Sequence, residues 1–164
     1  MDQMSSLEGR RLLNPAFTGI LLLRAAQGFA KEAKSDLPFV FSYLVLPLVL
    51  HPETRERLPQ TIVTKLVTWA ERNGELVAML PRRTSELAEA TRDGMFAVST
   101  NGLAILGPTG QIKPVIDAKT QAAFDKQIGS AEVIECLKKA LFVGRWLATA
   151  GSAPTVLTAL GVRL

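Results

Sequence analysis

The chain has 164 residues, 48% of them hydrophobic, and a formal net charge of +4, with a sequence pI near 9.5. That length suits one domain able to bury a core of its own. A single cysteine, Cys136, excludes an intrachain disulfide and a cysteine-based zinc cluster and suits a reducing cytosol, while the mild basicity leaves nucleic acid, an acidic partner surface or no special partner open.

Residues 1–13 read as a flexible lead-in, and 14–164 as a single helical domain. Met1–Arg11 lacks the basic, apolar and small-residue order of a secretory signal. Asn14 before Pro15 predicts a capped helix start. Phe17, Ile20, Leu21, Leu23, Ala26, Phe29 and Ala30 then recur at helical spacing, towards an end near Lys34. Asp36 is placed to cap a second helix over Leu37–Leu50, with Pro38 in its first turn. That helix is apolar on nearly every face, as the centre of a domain is, and Pro47 is expected to kink it. It is too short for the ~20 residues of a membrane span.

His51–Pro59 reads as a connector. Pro59 opens a helix through Ile62, Leu66 and Trp69 that Asn73-Gly74 stops. Glu75–Leu80 reads as a brief helix or extended passage. Thr84–Val98 reads as a helix capped by Thr84 or Ser85. The period then changes. Gly102–Leu106 and Gln111–Ile116, joined by Gly107-Pro108-Thr109-Gly110, predict a β-hairpin. Helices follow over Ala118–Ile128, Ala131–Ala150 and Ala153–Leu160, with a break at Gly129-Ser130. The expected fold is mainly α with one β-hairpin. It has a winged-helix-like core over about 37–117, built on helices 37–50, 59–72 and 84–98, and a C-terminal helical arm over about 118–164.

The residues that could carry chemistry have plain structural readings. His51 has Glu53 and Glu56 nearby, but no nucleophile motif and no second histidine for a metal. It reads better as the close of a helix, its ring on a terminal carbonyl and its charged form favoured by the helix dipole. Cys136, among Ile134, Leu137 and Ala140, reads as a buried, inert thiol. Gly107–Gly110 lacks the Lys-Ser/Thr of a phosphate loop and reads as a hairpin turn. Glu53, Glu56, Glu71, Glu75, Glu86 and Glu89 read as solvated faces. Arg55, Arg57, Lys65, Arg72, Arg82, Arg83 and Arg92 form a basic set. Acids interrupt it, and the helix that would enter a groove, Thr84–Val98, carries Glu86, Glu89 and Asp93 against Arg92. The balance is that of a binding or assembly subunit.

The stretches "NPAF" at Asn14–Phe17, "LPLVLHPETRERLP" at Leu46–Pro59, "PRRTSELAEATRDGMFAVSTNGL" at Pro81–Leu103 and "GRWLATAGSAPTVLTALGVRL" at Gly144–Leu164 resemble the small middle component of bacterial three-component ABC systems. Those systems in turn resemble the Lamassu-type antiviral defence modules. The resemblance implies a cytoplasmic, non-enzymatic subunit without cofactor, metal or small-molecule substrate. It would bridge an SMC-like ABC ATPase and a nuclease-type effector, with DNA reached through the complex. Under that reading Asn14, Pro15, Phe17, Pro47, His51 and Pro59 are determinants of the fold, and Arg55, Arg57, Arg82 and Arg83 are the candidate partner contacts. The rival expectations are a DNA-binding winged-helix protein and a small enzyme centred on His51.

Overall fold

The computed structural model describes residues 13–125 and 130–164. The lead-in over residues 1–12, the last turn of the helix expected to reach Ile128, and Gly129 of the expected break lie outside the described residues.

Helix α1 (Pro15–Ala33) is the axis of the fold. Its start is the expected one: Asn14 Oδ1 accepts from the Ala16 N–H at 2.8 Å, and Pro15 takes the first helical position. Every residue from Leu21 to Phe29 is buried. Such a helix must be covered on all sides, and close approach makes this possible. Gly19 faces Gly94, Gly28 faces the Leu141 carbonyl and Gly144 faces the Ala25 carbonyl. A Cβ at any of these glycines would overlap neighbouring backbone, so the helices meet at backbone contact.

The chain next departs from the expected helix at Leu37. Leu37–Pro38 form strand β1, and helix α2 (Phe39–Leu50) takes Pro38, rather than Asp36, at its N-cap. Proline disfavours helical backbone in the residue before it, so Leu37 is extended and pairs with Ile112. The Phe39 N–H, left over at the helix start, donates to Gly110 O at 2.7 Å. Within α2, Phe41, Ser42 and all of Leu44–Val49 are buried. Pro47 is retained inside the helix.

The expected connector contains helix α3 (Pro52–Arg57). The next helix, α4, is shorter than expected, covering Leu66–Arg72 rather than starting at Pro59. The run Thr61-Ile62-Val63-Thr64 is β-branched throughout, which costs side-chain freedom in a helix. Its backbone has another use, since Trp146 Nε1 donates to Thr64 O at 2.7 Å; Trp69 Nε1 donates to Arg57 O at the end of α3, also at 2.7 Å. The two indoles meet edge to face, with centroids 5.4 Å apart.

Helix α5 (Gly74–Glu86) runs through Pro81 and past Thr84, and α6 (Ala88–Thr100) follows after Leu87. Thr84 is therefore a buried residue of α5 and not a cap. Leu76, Leu80 and Thr84 form one buried face against the core. The hairpin is as expected: β2 (Ala104–Leu106) and β3 (Gln111–Pro114) turn at Gly107–Gly110, where Gly110 has φ 80°. It is not isolated, because β1 completes an antiparallel sheet in the order β1–β3–β2. Helices α7 (Ala118–Asp125), α8 (Ala131–Ala148) and α9 (Ala153–Leu160) complete the described chain. Asp117 starts α7, accepting from the Thr120 N–H at 2.8 Å. Helix α8 packs along α1, with Trp146, Leu147, Val143 and Ala140 wholly buried. Among the described residues, no helix is long and apolar enough to cross a membrane.

Candidate functional site

The joint between α2 and α3 gathers the most concentrated polar group of the motif residues. His51 is both the last cap of α2 and the N-cap of α3. Its Nδ1 lies 3.0 Å from Thr54 Oγ1 and 3.3 Å from the Thr54 N–H, and its Nε2 lies 3.0 Å from Arg83 Nη2. Arg83 Nη1 also donates to Thr54 Oγ1 at 3.0 Å. A guanidinium has only N–H groups to offer, so it bonds Nε2 through that nitrogen's lone pair, and the Thr54 N–H donates to Nδ1 as the N-cap contact of α3. Donors thus approach the ring at both nitrogens, and a doubly protonated imidazolium could accept from neither. His51 is thus neutral, and burial followed by the Arg83 charge lowers its pKa from 6.5. This corrects the expectation of a charged ring on a terminal carbonyl. The carbonyls at the end of α2 are instead served by Arg55.

Arg55 is 5% exposed. Its Nη1 donates to Val49 O at 2.8 Å and reaches Leu50 O at 3.5 Å, while Nη2 pairs with Glu132 of α8 at 3.3 Å. It closes α2 and ties that end to α8. The four candidate arginines therefore separate. Arg55 and Arg83 are turned inward onto the joint. Arg57 and Arg82 stand in solvent, paired along their own helices with Glu53 at 2.9 Å and Glu86 at 2.8 Å. Such exposed pairs hold little energy and yield readily to a partner.

The remaining motif residues are packing and capping groups. Phe17 packs half-buried against the core, Pro47 is buried within α2, and Pro59 is half-buried just after α3. Cys136 is wholly buried, and burial raises its thiol pKa. Glu53, Glu56, Glu71, Glu75, Glu86 and Glu89 are all exposed. Gly107–Gly110 is a hairpin turn whose Gly107 N–H donates to Gln111 O at 2.7 Å. Among the described residues, no group of three or more His, Cys, Asp or Glu could hold a metal ion.

Two features escaped the sequence reading. Arg24, in the buried middle of α1, pairs with Asp125 at 3.0 Å, and both line a cleft of about 170 Å³ with Ile134, Leu137 and Lys138. An arginine inside an apolar helix is a signal in itself, since buried charge demands a partner. The second is an apolar group on the α6–β2–β3 unit. Phe96 is 72% exposed, and Ile105, Leu106 and Val115 are each more than half exposed. The apolar run Leu103–Leu106 is plain in the sequence, but which of its residues meet water is decided by the packing of the sheet.

A family model described as ABC-three component (ABC-3C) system Middle Component 3 matches residues 2–164. No curated protein and no solved structure matches the chain.

Proposed function

The chain belongs to the Middle Component 3 family of ABC-three component systems, and on that premise we propose that it is a non-enzymatic bridging subunit. In this reading it holds an SMC-like ABC ATPase and a nuclease-type effector in one cytoplasmic antiphage or anti-plasmid complex of the Lamassu type. The family match over residues 2–164 is the observation that carries the proposal. The use of the reactive side chains supports it. Both nitrogens of His51 are engaged with Thr54 and Arg83, and Cys136 is sealed in the core. Arg57 and Arg82 are the rim contacts of the proposal, with Arg55 and Arg83 shaping the joint that presents Arg57.

The winged-helix reading belongs to the same proposal, on different helices from those first expected. Helices α1, α2 and α6, followed by the β2–β3 wing with β1 completing the sheet, support it. A role on DNA by itself would need the helix before the wing to present cations. Helix α6 presents Glu89, Arg92, Asp93 and Phe96 to solvent, which suits protein better than phosphate. DNA is then reached through the complex.

Co-expression with the ATPase of the same system is the test. The two chains are expected to co-elute on gel filtration at physiological salt. Clean separation would overturn the bridging role. Steep, salt-sensitive duplex binding by the isolated chain would favour the DNA reading instead.

A further inference from the structure

Among the described residues, arginine side chains drawn partly or wholly out of water are answered by carboxylates, with one exception. Arg24 pairs with Asp125 at 3.0 Å, Arg55 with Glu132 at 3.3 Å and Arg145 with Glu32 at 2.7 Å. Arg83 is likewise only partly exposed, yet no described carboxylate pairs with it. A guanidinium withdrawn from water without a counter-charge is costly to hold. Burial lowers the pKa of Arg83, and Glu53 and Glu86 oppose that shift without cancelling it. Those two glutamates are committed elsewhere. Glu53 pairs with Arg57 at 2.9 Å along α3, and Glu86 with Arg82 at 2.8 Å along α5.

The hydrogen bonds of Arg83 leave one edge of the guanidinium open. Its Nη1 donates to Thr54 Oγ1 at 3.0 Å and its Nη2 to His51 Nε2 at 3.0 Å. Neither acceptor carries a negative charge. Among the described residues the Nε–H has no partner, and it is not sealed from solvent. The Nε–H and the second hydrogen on Nη2 lie side by side, as the fork that grips a carboxylate through two parallel bonds. Thr54 and His51 already fix the plane of the group, so a ligand need not order it.

We infer that Arg83 is the receptor for an aspartate or glutamate side chain of another component of the same system, gripped through this open edge, with Arg57 and Arg82 as flanking attractions. This rests on the bridging reading and gives it a contact chemistry. A protein carboxylate fits better than a nucleic-acid backbone. Glu53 and Glu86 are exposed and act on Arg83, so a run of phosphates would be repelled there, whereas a single acidic residue can meet Arg83 between them.

The test titrates the full chain with each purified component of its system, the ATPase first. Arg83→Gln is expected to weaken association about tenfold or more, the scale for truncating one side of a desolvated charge pair. Arg83→Lys, which keeps the charge but not the fork, should restore only part of it. Arg163→Gln removes the same charge at an exposed residue and should associate like the wild type. Glu86→Gln tells a contact from a side chain that only shapes the joint. It removes a competing carboxylate from an exposed pair, so association should tighten about twofold, whereas a purely structural Arg83 predicts no change. The same variant decides the matter if Arg83→Gln loses its unfolding transition. The inference is overturned if folded Arg83→Gln associates like the wild type, or if Glu86→Gln leaves association unchanged or weaker. Displacement of the component by a short DNA duplex, with duplex binding lost in Arg83→Gln, would also overturn it, assigning the edge to phosphate. Wild type that binds no component would remove the bridging reading and this one together. Wild type that binds, with every variant indistinguishable from it, would remove this one alone.

Discussion

His51 faces Arg83 through Nε2 at 3.0 Å and the Thr54 N–H through Nδ1 at 3.3 Å, so donors approach both ring nitrogens. Protonation would set two donors face to face, beside Arg55 as well as Arg83. The unfolded chain takes up its proton near pH 6.5, whereas the folded chain holds out to lower pH. Below that value the unfolded state binds more protons, so stability is full above pH 6.5 and falls as the pH drops towards the folded pKa. Thermal unfolding followed across this range should show that decline, and His51→Gln should flatten it. Arg55 makes the stronger demand. Arg55→Met leaves the Val49 carbonyl buried without its donor, and should cost about 2–4 kcal/mol in urea unfolding. Arg57→Met, at an exposed pair, should cost less than about 1 kcal/mol. Sequence reasoning could see that His51 ends a helix, because the apolar run stops there. It could not see the ring's charge state. Arg83 is 32 residues away, and the start of α3 at the same residue reverses the local helix dipole.

The elements themselves divide along the same line. Helix α1 was legible because Asn14, Pro15 and the apolar spacing agree with each other. Strand β1 was not, since Leu37–Pro38 has no strand signal of its own and becomes one by pairing with Gln111–Ile112. Helix α5 was misread at Pro81 because the buried face of Leu76, Leu80 and Thr84 outweighs the proline. The packing of α1 against α6 and α8 also gives a paired prediction. Gly144→Ala drives a methyl into the Ala25 backbone and should cost about 2 kcal/mol or more. Gly74→Ala, with nothing within 4 Å of its added Cβ, should gain about 0.5–1 kcal/mol instead. Denaturant midpoints of the two variants check both signs.

At the scale of the molecule, the C-terminal helices are part of the centre. Trp146 and Leu147 of α8 are wholly buried, and Gly144 is in backbone contact with α1. A chain truncated after Asp125 should therefore lose its cooperative unfolding transition, read by calorimetry, rather than leave a stable winged core. The family was legible from stretches spread over most of the sequence, while the exposure of Phe96, Ile105 and Val115 was not, because a strand pattern does not say which face meets water. The joints of the fold have one further consequence. His51, Asn73 and Leu87 each end one helix and begin the next, so these junctions hold no spare residue. One inserted residue would turn the following helix by about 100°, swinging Leu76, Leu80 and Thr84 off the core in the case of Asn73. The region from Phe39 to Thr100 thus has a fixed length written into it at those junctions. Alanine-insertion scanning should find them intolerant, and the exposed turn at Pro108–Gly110 permissive.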